Sequence, residues 1–145
     1  MECPMPQINS NKDEIKKIFE YTKTIAIIGC SPKPEKDSNK VAVYLQKHGF
    51  KIIPVYPKED TILGEKVYRS LSEIPSDIQI DMVDIFRKPD VIASVVEEVL
   101  ARGGIKCVWT QLGLVNNEAA QKAKDAGLDV VQSHCTKVEH NALFG

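Results

Sequence analysis

The chain has no long apolar run and no excess of basic residues. No apolar segment among its 145 residues approaches the ~18 needed to cross a membrane, and Met1–Ser10 lacks the apolar core of a signal peptide. The formal net charge is −1 with 27% charged residues, so the basic field typical of nucleic-acid binding is missing. We therefore expect a soluble, cytoplasmic protein whose partner is neither a membrane nor a nucleic acid.

The chain also lacks the cysteine patterns that hold metals or disulfides. Its four cysteines, Cys3, Cys30, Cys107 and Cys135, are widely separated and form no Cys-x-x-Cys pair. This spacing predicts neither a zinc site nor a disulfide framework, and the thiols are expected to be reduced. Cys135 follows His134, but adjacent residues of an extended chain point to opposite faces. No catalytic residue and no metal site is therefore predicted.

Glycine is scarce where a nucleotide-binding turn would have most of it. The apolar, β-branched run Thr24–Ile28 predicts a buried strand, and the next residues up to Pro34 contain one of the three glycines of Gly-x-Gly-x-x-Gly, Gly29. Ser31 stands in place of the second glycine and Pro34 in place of the third. The Ser31 hydroxyl and the Lys33 ammonium could replace part of what glycine amides supply to a phosphate. The run predicts a phosphate-binding turn, and an ordinary strand-to-helix connection is the alternative.

Predicted strands and helices alternate along the chain. The strands are Thr24–Ile28, Lys51–Val55, Ile80–Ile85, Ile105–Trp109 and Leu128–Val131, and the helices are Lys12–Tyr21, Asn39–His48, Pro89–Arg102, Asn117–Ala126 and Thr136–Leu143. This order predicts a single α/β domain over residues 1–145, with a doubly wound, mainly parallel five-stranded sheet. Residues 1–11 are predicted to form a flexible N-terminal segment. The connection Pro57–Asp77 is long, with a turn at Leu63-Gly64.

In such a sheet, ligands lie across the carboxyl ends of the strands. The residues that follow the five predicted strands are Gly29–Lys33, Tyr56–Lys58, Phe86–Lys88, Thr110–Gly113 and Ser133–Cys135. The charges there are mainly basic, with Lys33, Lys58, Arg87 and Lys88 against Glu35, Glu59 and Asp60. This balance favours a polyphosphate ligand.

The end of the second strand indicates which nucleotide. Folds that bind NAD usually place an acid there to accept the ribose hydroxyls, but this strand continues into Tyr56, Pro57 and Lys58, with no acid before Glu59. A lysine suits a phosphorylated ribose, as in NADP or coenzyme A. The alternative is that Lys58 is an ordinary solvated lysine.

Seven segments together resemble one family. They are Gly29–Pro34, Tyr44–Phe50, Ile53–Pro57, Leu63–Pro75, Asp84–Pro89, Val108–Gly113 and Cys135–His140. In this order, over residues 12–143, they are similar to the small stand-alone CoA-binding proteins of bacteria and archaea. Those proteins are related to the CoA-binding domain of the succinyl-CoA synthetase α subunit. The resemblance implies a Rossmann-like fold that binds coenzyme A or an acyl-CoA as a small-molecule ligand, without a catalysed reaction.

The resemblance and the strand-end rule together nominate a binding site. The residues expected at the pyrophosphate are Gly29, Cys30, Ser31, Pro32 and Lys33. Those expected at the adenine are Val55, Tyr56 and Pro57, with Lys58 at the 3′-phosphate. Phe86, Arg87 and Lys88 are expected along the pantetheine or the phosphates, and Gln111 and Gly113 near the thiol. The chain departs from the family at Cys30, where alanine is expected, and over Lys36–Asn39, where a more basic or aromatic stretch is expected. Cys30 is expected to be a small residue in a tight turn, with a reactive thiol of lowered pKa as the alternative.

Two other functions stay open. One is an NADP-dependent oxidoreductase, for which the chain offers no Tyr-x-x-x-Lys pair and no second domain. The other is an interaction subunit with a vestigial nucleotide site, in which the loops at Phe86 and Gln111 contact a partner. A monomer and a homodimer are both compatible with the sequence.

Overall fold

The structure is a computed structural model that describes residues 5–145. The helices are α1 (Lys12–Tyr21), α2 (Asp37–Lys47), α3 (Pro89–Arg102), α4 (Asn117–Asp125) and α5 (Thr136–Phe144). The strands are β1 (Thr24–Ile28), β2 (Lys51–Val55), β3 (Thr61–Ile62), β4 (Glu65–Lys66), β5 (Met82–Ile85), β6 (Cys107–Thr110) and β7 (Asp129–Val131), and a 3₁₀ turn spans Leu71–Glu73.

Five strands form one parallel sheet in the order β2-β1-β5-β6-β7. The predicted fold class, a doubly wound α/β Rossmann-like domain, is confirmed. Strands β3 and β4 form a separate antiparallel hairpin within the predicted long connection. Its turn is Leu63-Gly64, with φ values of 54° and 79°. Two successive positive φ angles are typical of the tight turns that join short hairpins.

Alternate residues of the strands face two apolar layers. Ala26 and Ile28 of β1 pack with α3 and α4, whereas Ile25 and Ile27 pack with α1, α2 and α5. Both faces of a parallel sheet are covered by helices, which explains why its strands are continuously apolar. Trp109 of β6 is fully buried, and its Nε1–H donates to the carbonyl of His134 at 2.8 Å.

Asn9 and Ser10, within the predicted N-terminal segment, contact the outer edge of β7. The side-chain amide of Asn9 donates to the carbonyl of Gln132 and accepts from its N–H, each at 3.0 Å. The Ser10 hydroxyl donates to the carbonyl of Val130 at 2.7 Å. Residues 1–4 lie outside the described part of the chain, and the flexibility of segment 1–11 stays a prediction.

Residues 5–145 contain no candidate for a membrane-spanning helix or for a metal-ligand cluster. No helix in that range combines the length and the apolar character needed to cross a membrane. No group of three or more histidine, cysteine, aspartate or glutamate side chains in the same range is arranged to hold a metal ion.

Candidate functional site

The strand order opens a crevice at the carboxyl edge of the sheet. The chain leaves β1 to form β2 on one side and later returns to form β5 on the other side of β1. The loops that follow β1 and β5 therefore diverge, and this switch point is where open α/β sheets bind ligands. The loop after β1 begins at Gly29, and the loop after β5 contains Phe86, Arg87 and Lys88.

Gly29 lies at the closest approach of these two loops. Its φ is +88°, a conformation that favours glycine. A Cβ atom on Gly29 would lie 2.9 Å from Cδ of Arg87 and 3.1 Å from the carbonyl oxygen of Phe86. Its N–H donates to the carbonyl of Val55 at 2.8 Å, which ties the turn to β2. Both the positive φ and the close approach of Arg87 favour glycine at this position.

The turn after Gly29 is held by polar residues at the start of α2. The N–H of Ser31 donates to Oγ of Ser38 at 2.9 Å, and the side-chain amide of Asn39 donates to the carbonyl of Ser31 at 2.9 Å. The N–H of Lys33 donates to Oγ of Ser31 at 3.1 Å. The Ser31 hydroxyl oxygen therefore has a partner, but its proton has no acceptor among residues 5–145. Ser31 is 8% exposed, and the Lys33 side chain is exposed.

The segment Lys36–Asn39, where the chain departs from its expected family pattern, therefore has a structural role. Helix α2 begins at Asp37, two residues before its predicted start at Asn39. Ser38 and Asn39 are buried beneath the turn, 6% and 4% exposed. Polar side chains in the first turn of a helix commonly satisfy nearby backbone groups, but the sequence does not reveal which ones.

Cys30 does not present a reactive thiol. Its side chain is fully buried in the layer that packs against α2, and its N–H donates to the carbonyl of Val55 at 3.2 Å. Burial, and secondarily the nearby Asp84 carboxyl, raise the pKa of the thiol to about 12. The alternative of a lowered pKa is wrong, because it needs a positive or polar environment that this position does not have.

A small cleft of about 160 Å³ lies on the β2 side of the crevice. Its lining includes Gly29, Val55, Tyr56, Pro57, Arg69 and Arg87. The structure thus brings the residues predicted for the adenine next to Gly29. Lys58 is exposed and lines neither this cleft nor the larger cavity described below.

Arg69 is the residue of this cleft that the sequence analysis missed. Its Nη1 donates to the carbonyls of Tyr56, Lys58 and Glu59, at 3.0, 3.0 and 2.9 Å. The loop that it holds contains Glu59 at φ 71°, an uncommon angle for a residue with a side chain. A weak signal for Arg69 was its position between Tyr68 and Ser70 of a family segment.

A larger cavity of about 460 Å³ lies on the other side of the crevice. It is formed by the first turns of α2 and α5 and by the loops after β5 and β6. Val41, Phe86, Gln111, Leu112, Leu114 and Cys135 are among its lining residues. We refer to it as the α2–α5 cavity. Gly113 and Lys88 do not line it, and the N–H of Gly113 donates to Oγ of Ser133 at 2.9 Å.

Gln111 is fixed by a buried carboxyl group behind this cavity. Its Nε2 donates to Oδ1 of Asp84 and, at 3.1 Å, to Oγ1 of Thr136. The Thr136 hydroxyl in turn donates to Oδ2 of Asp84 at 3.0 Å. Asp84 is fully buried, and this burial raises its pKa to about 7, although both hydrogen bonds act in the opposite direction. The network joins β5, the loop after β6 and α5.

The histidine rings near Cys135 have other partners. Nδ1 of His134 lies 2.7 Å from the carbonyl oxygen of Gln132. The His140 ring is 7% exposed, and its Nδ1 lies 2.8 Å from the hydroxyl of Tyr44. Both histidine rings therefore have partners other than Cys135, which favours structural roles over a Cys–His nucleophile.

Comparison with known proteins places this geometry in a family. Residues 23–141 match the family described as CoA binding domain. The chain is 42% identical over 132 residues to YneT, an uncharacterized protein of Bacillus subtilis, with 91% of this chain and 96% of YneT covered. A hypothetical protein from Pyrococcus horikoshii has a solved structure that matches with a TM-score of 0.89 and 41% identity, over 100% of both chains.

A more distant match is a much longer enzyme. The chain is 26% identical over 146 residues to the ADP-forming acetate–CoA ligase of Methanocaldococcus jannaschii, with 92% of this chain but only 20% of the ligase covered. The chain thus spans about a fifth of that ligase. The predicted resemblance is confirmed: the chain belongs to the family of CoA binding domains.

Proposed function

We propose that the protein binds coenzyme A or an acyl-CoA across the crevice at the carboxyl edge of its sheet. The observation that carries this proposal is the close approach of Gly29 to Arg87 at the switch point, beside the small cleft that both residues line. A nucleotide with a long arm can occupy both this cleft and the α2–α5 cavity. Membership in the CoA binding domain family supports this ligand.

The pyrophosphate would lie over the turn after β1. Ser31 keeps a hydroxyl proton for donation, and Lys33, Arg87 and Lys88 supply positive charge from exposed positions. Charge-assisted hydrogen bonds to phosphate oxygens are stronger than neutral ones. Cys30 and Pro32 would contribute only the path of the backbone.

The adenine would lie in the small cleft against Val55, Tyr56 and Pro57. Arg69 holds the carbonyls of the loop that follows, which orients Lys58. The Lys58 ammonium would meet the ribose 3′-phosphate, a group that NAD lacks. Specificity for a phosphorylated ribose then rests on an exposed lysine.

The pantetheine arm would enter the α2–α5 cavity past Phe86 and Gln111. Gly113 does not line that cavity and is given no contact with the ligand. No catalytic residue is assigned, so the proposed function is binding.

Calorimetry with CoA, dephospho-CoA, NADP and NAD tests the ligand. We expect CoA to bind most tightly. Stronger binding of NADP would favour an oxidoreductase, and binding of none of the four would favour an interaction subunit.

Three substitutions test the site. Ser31→Ala and Lys33→Ala are each expected to weaken the binding of CoA by about 1–3 kcal/mol. The loss of affinity caused by Lys33→Ala should be smaller at high salt, because salt screens the attraction between charges. Lys58→Ala is expected to weaken the binding of CoA by about 1–2 kcal/mol. It should hardly change the binding of dephospho-CoA, because that ligand lacks the 3′-phosphate. Lys17→Ala, an exposed lysine on α1, is the matched control. If both turn variants bind CoA as the parent does, the phosphates lie elsewhere.

A further inference from the structure

The α2–α5 cavity has an apolar wall that the pantetheine arm alone does not explain. Val41, Phe86, Leu112, Leu114 and Val138 are the apolar side chains among its lining residues. Leu112 is 74% exposed and Val138 is 59% exposed, two of the largest exposures of apolar residues in the described chain. Exposed apolar side chains that flank one cavity mark a surface that an apolar ligand covers.

Gln111 directs a hydrogen-bond acceptor toward the same cavity. The residue is 6% exposed and lines the cavity, and its Nε2 is engaged by Asp84 and Thr136. Its Oε1 accepts no hydrogen bond from any residue within 5–145, and no buried side-chain nitrogen or oxygen in that range lacks a partner. The oxygen is therefore accessible, and it can accept a hydrogen bond from an N–H group of a ligand.

The pantetheine arm carries amide N–H groups of this kind. With an amide of the arm held at Gln111, the thioester end extends farther into the cavity, toward Leu112 and Val138. The charged lining residues, Asp37, Lys40 and Lys137, are all exposed and include both signs. The two lysines outnumber the aspartate, but all three charges are exposed and screened by solvent, so they offset little of the cost of placing a terminal carboxylate against the apolar wall.

We propose that the α2–α5 cavity binds the acyl group of an acyl-CoA and selects an uncharged aliphatic chain longer than acetyl. This inference rests on the proposed function, since it needs CoA to bind in the assigned direction. It adds the chemical class of the acyl group and assigns Gln111, Leu112 and Val138 to its recognition.

A chain-length series tests it by calorimetry on the full chain. The ligands are CoA, acetyl-CoA, butanoyl-CoA, hexanoyl-CoA and succinyl-CoA. Affinity is expected to rise from acetyl to hexanoyl by about two- to fourfold per methylene, because each methylene leaves water for a partly open apolar wall. Succinyl-CoA, which matches butanoyl-CoA in chain length but ends in a carboxylate, is expected to bind more weakly than butanoyl-CoA.

Two surface variants test the assigned residues. Leu112→Ser and Val138→Ser are each expected to lower the ratio of hexanoyl-CoA affinity to CoA affinity by at least about twofold. Met5→Ser changes an apolar residue that is 79% exposed and lies outside the cavity lining, so it is expected to keep the parental ratio.

The outcomes separate this inference from the proposed function. CoA binding with no dependence on chain length, or with a preference for succinyl-CoA over butanoyl-CoA, overturns the acyl assignment and leaves CoA binding in place. A parental ratio in both serine variants overturns it too. Failure of CoA itself to bind overturns both proposals.

Discussion

Asp84 is a buried carboxyl group whose ionisation should make the stability of the protein depend on pH. Burial raises its pKa from 3.8 to about 7. The folded state therefore favours the protonated form. The contribution of Asp84 protonation to the free energy of unfolding is fully present below the pKa of Asp84 in the unfolded chain. It is lost as the pH rises through the pKa of Asp84 in the folded protein.

The size of the effect follows from the width of this window. Stability changes over the pH interval between the unfolded pKa of 3.8 and the folded pKa of about 7. About two pH units of this interval lie above pH 5, and each unit corresponds to about 1.4 kcal/mol. The free energy of unfolding should therefore fall by at most about 3 kcal/mol between pH 5 and pH 8, on account of Asp84.

Asp84→Asn isolates this contribution. The asparagine oxygen can accept from Gln111, and its amide can donate to Oγ1 of Thr136, so the network keeps two hydrogen bonds. His140 acts in the opposite sense, because burial, and secondarily His48, lower its pKa, so its contribution is lost as the pH falls. Both proteins contain His140, and the difference between their pH profiles cancels it.

The assay is urea unfolding at several pH values with the slope of the transition monitored. Relative to the parent, the variant should gain stability as the pH rises from 5 to 8. Parallel profiles for the two proteins would show that Asp84 is ionised in the fold throughout this range, and the reasoning from burial would be refuted.

Two further predictions concern the crevice. Gly29→Ala should destabilise the fold by about 1–2 kcal/mol, because alanine is disfavoured at a φ of +88°. It should also weaken CoA binding, since the new Cβ displaces the Arg87 side chain. Thermal melting measures the first effect and calorimetry the second, and an unchanged CoA affinity would contradict the close approach of Gly29 to Arg87. Arg69→Ala should lower the free energy of unfolding by only about 1 kcal/mol, because the side chain is half exposed. It should weaken the binding of CoA but not the binding of the isolated pantetheine arm. An unchanged CoA affinity would mean that the loop after β2 does not contact the ligand.

Local patterns predicted the elements that depend on neighbouring residues. The β-branched run Thr24–Ile28 was predicted with its observed bounds, as was helix α3, which has Pro89 at its first position and ends before Gly103. Strand β6 begins at Cys107 rather than at Ile105. The carbonyl of Asp81 accepts from both Lys106 and Cys107, so pairing with β5 starts at the second of them.

The parts of the site that were missed depend on contacts across the chain. Arg69 reaches carbonyls 10 to 13 residues away, and Thr136 reaches Asp84 across 52 residues. Composition and periodicity describe a residue's own segment, and they do not indicate which distant backbone group a polar side chain meets. Gln111 was nominated by its position after β6. Its buried partner Asp84 was predicted as part of a strand and of a family segment, with no role in the site.

The contacts of Asn9 with Gln132 have a consequence for self-association. A strand at the edge of a sheet exposes unpaired N–H and C=O groups that invite another strand to add. The Asn9 side-chain amide satisfies the N–H and the carbonyl of Gln132 as a peptide group of a neighbouring strand would, and Ser10 satisfies the carbonyl of Val130. The short segment before α1 thus occupies backbone groups at the β7 edge that a strand of a second molecule would otherwise pair with.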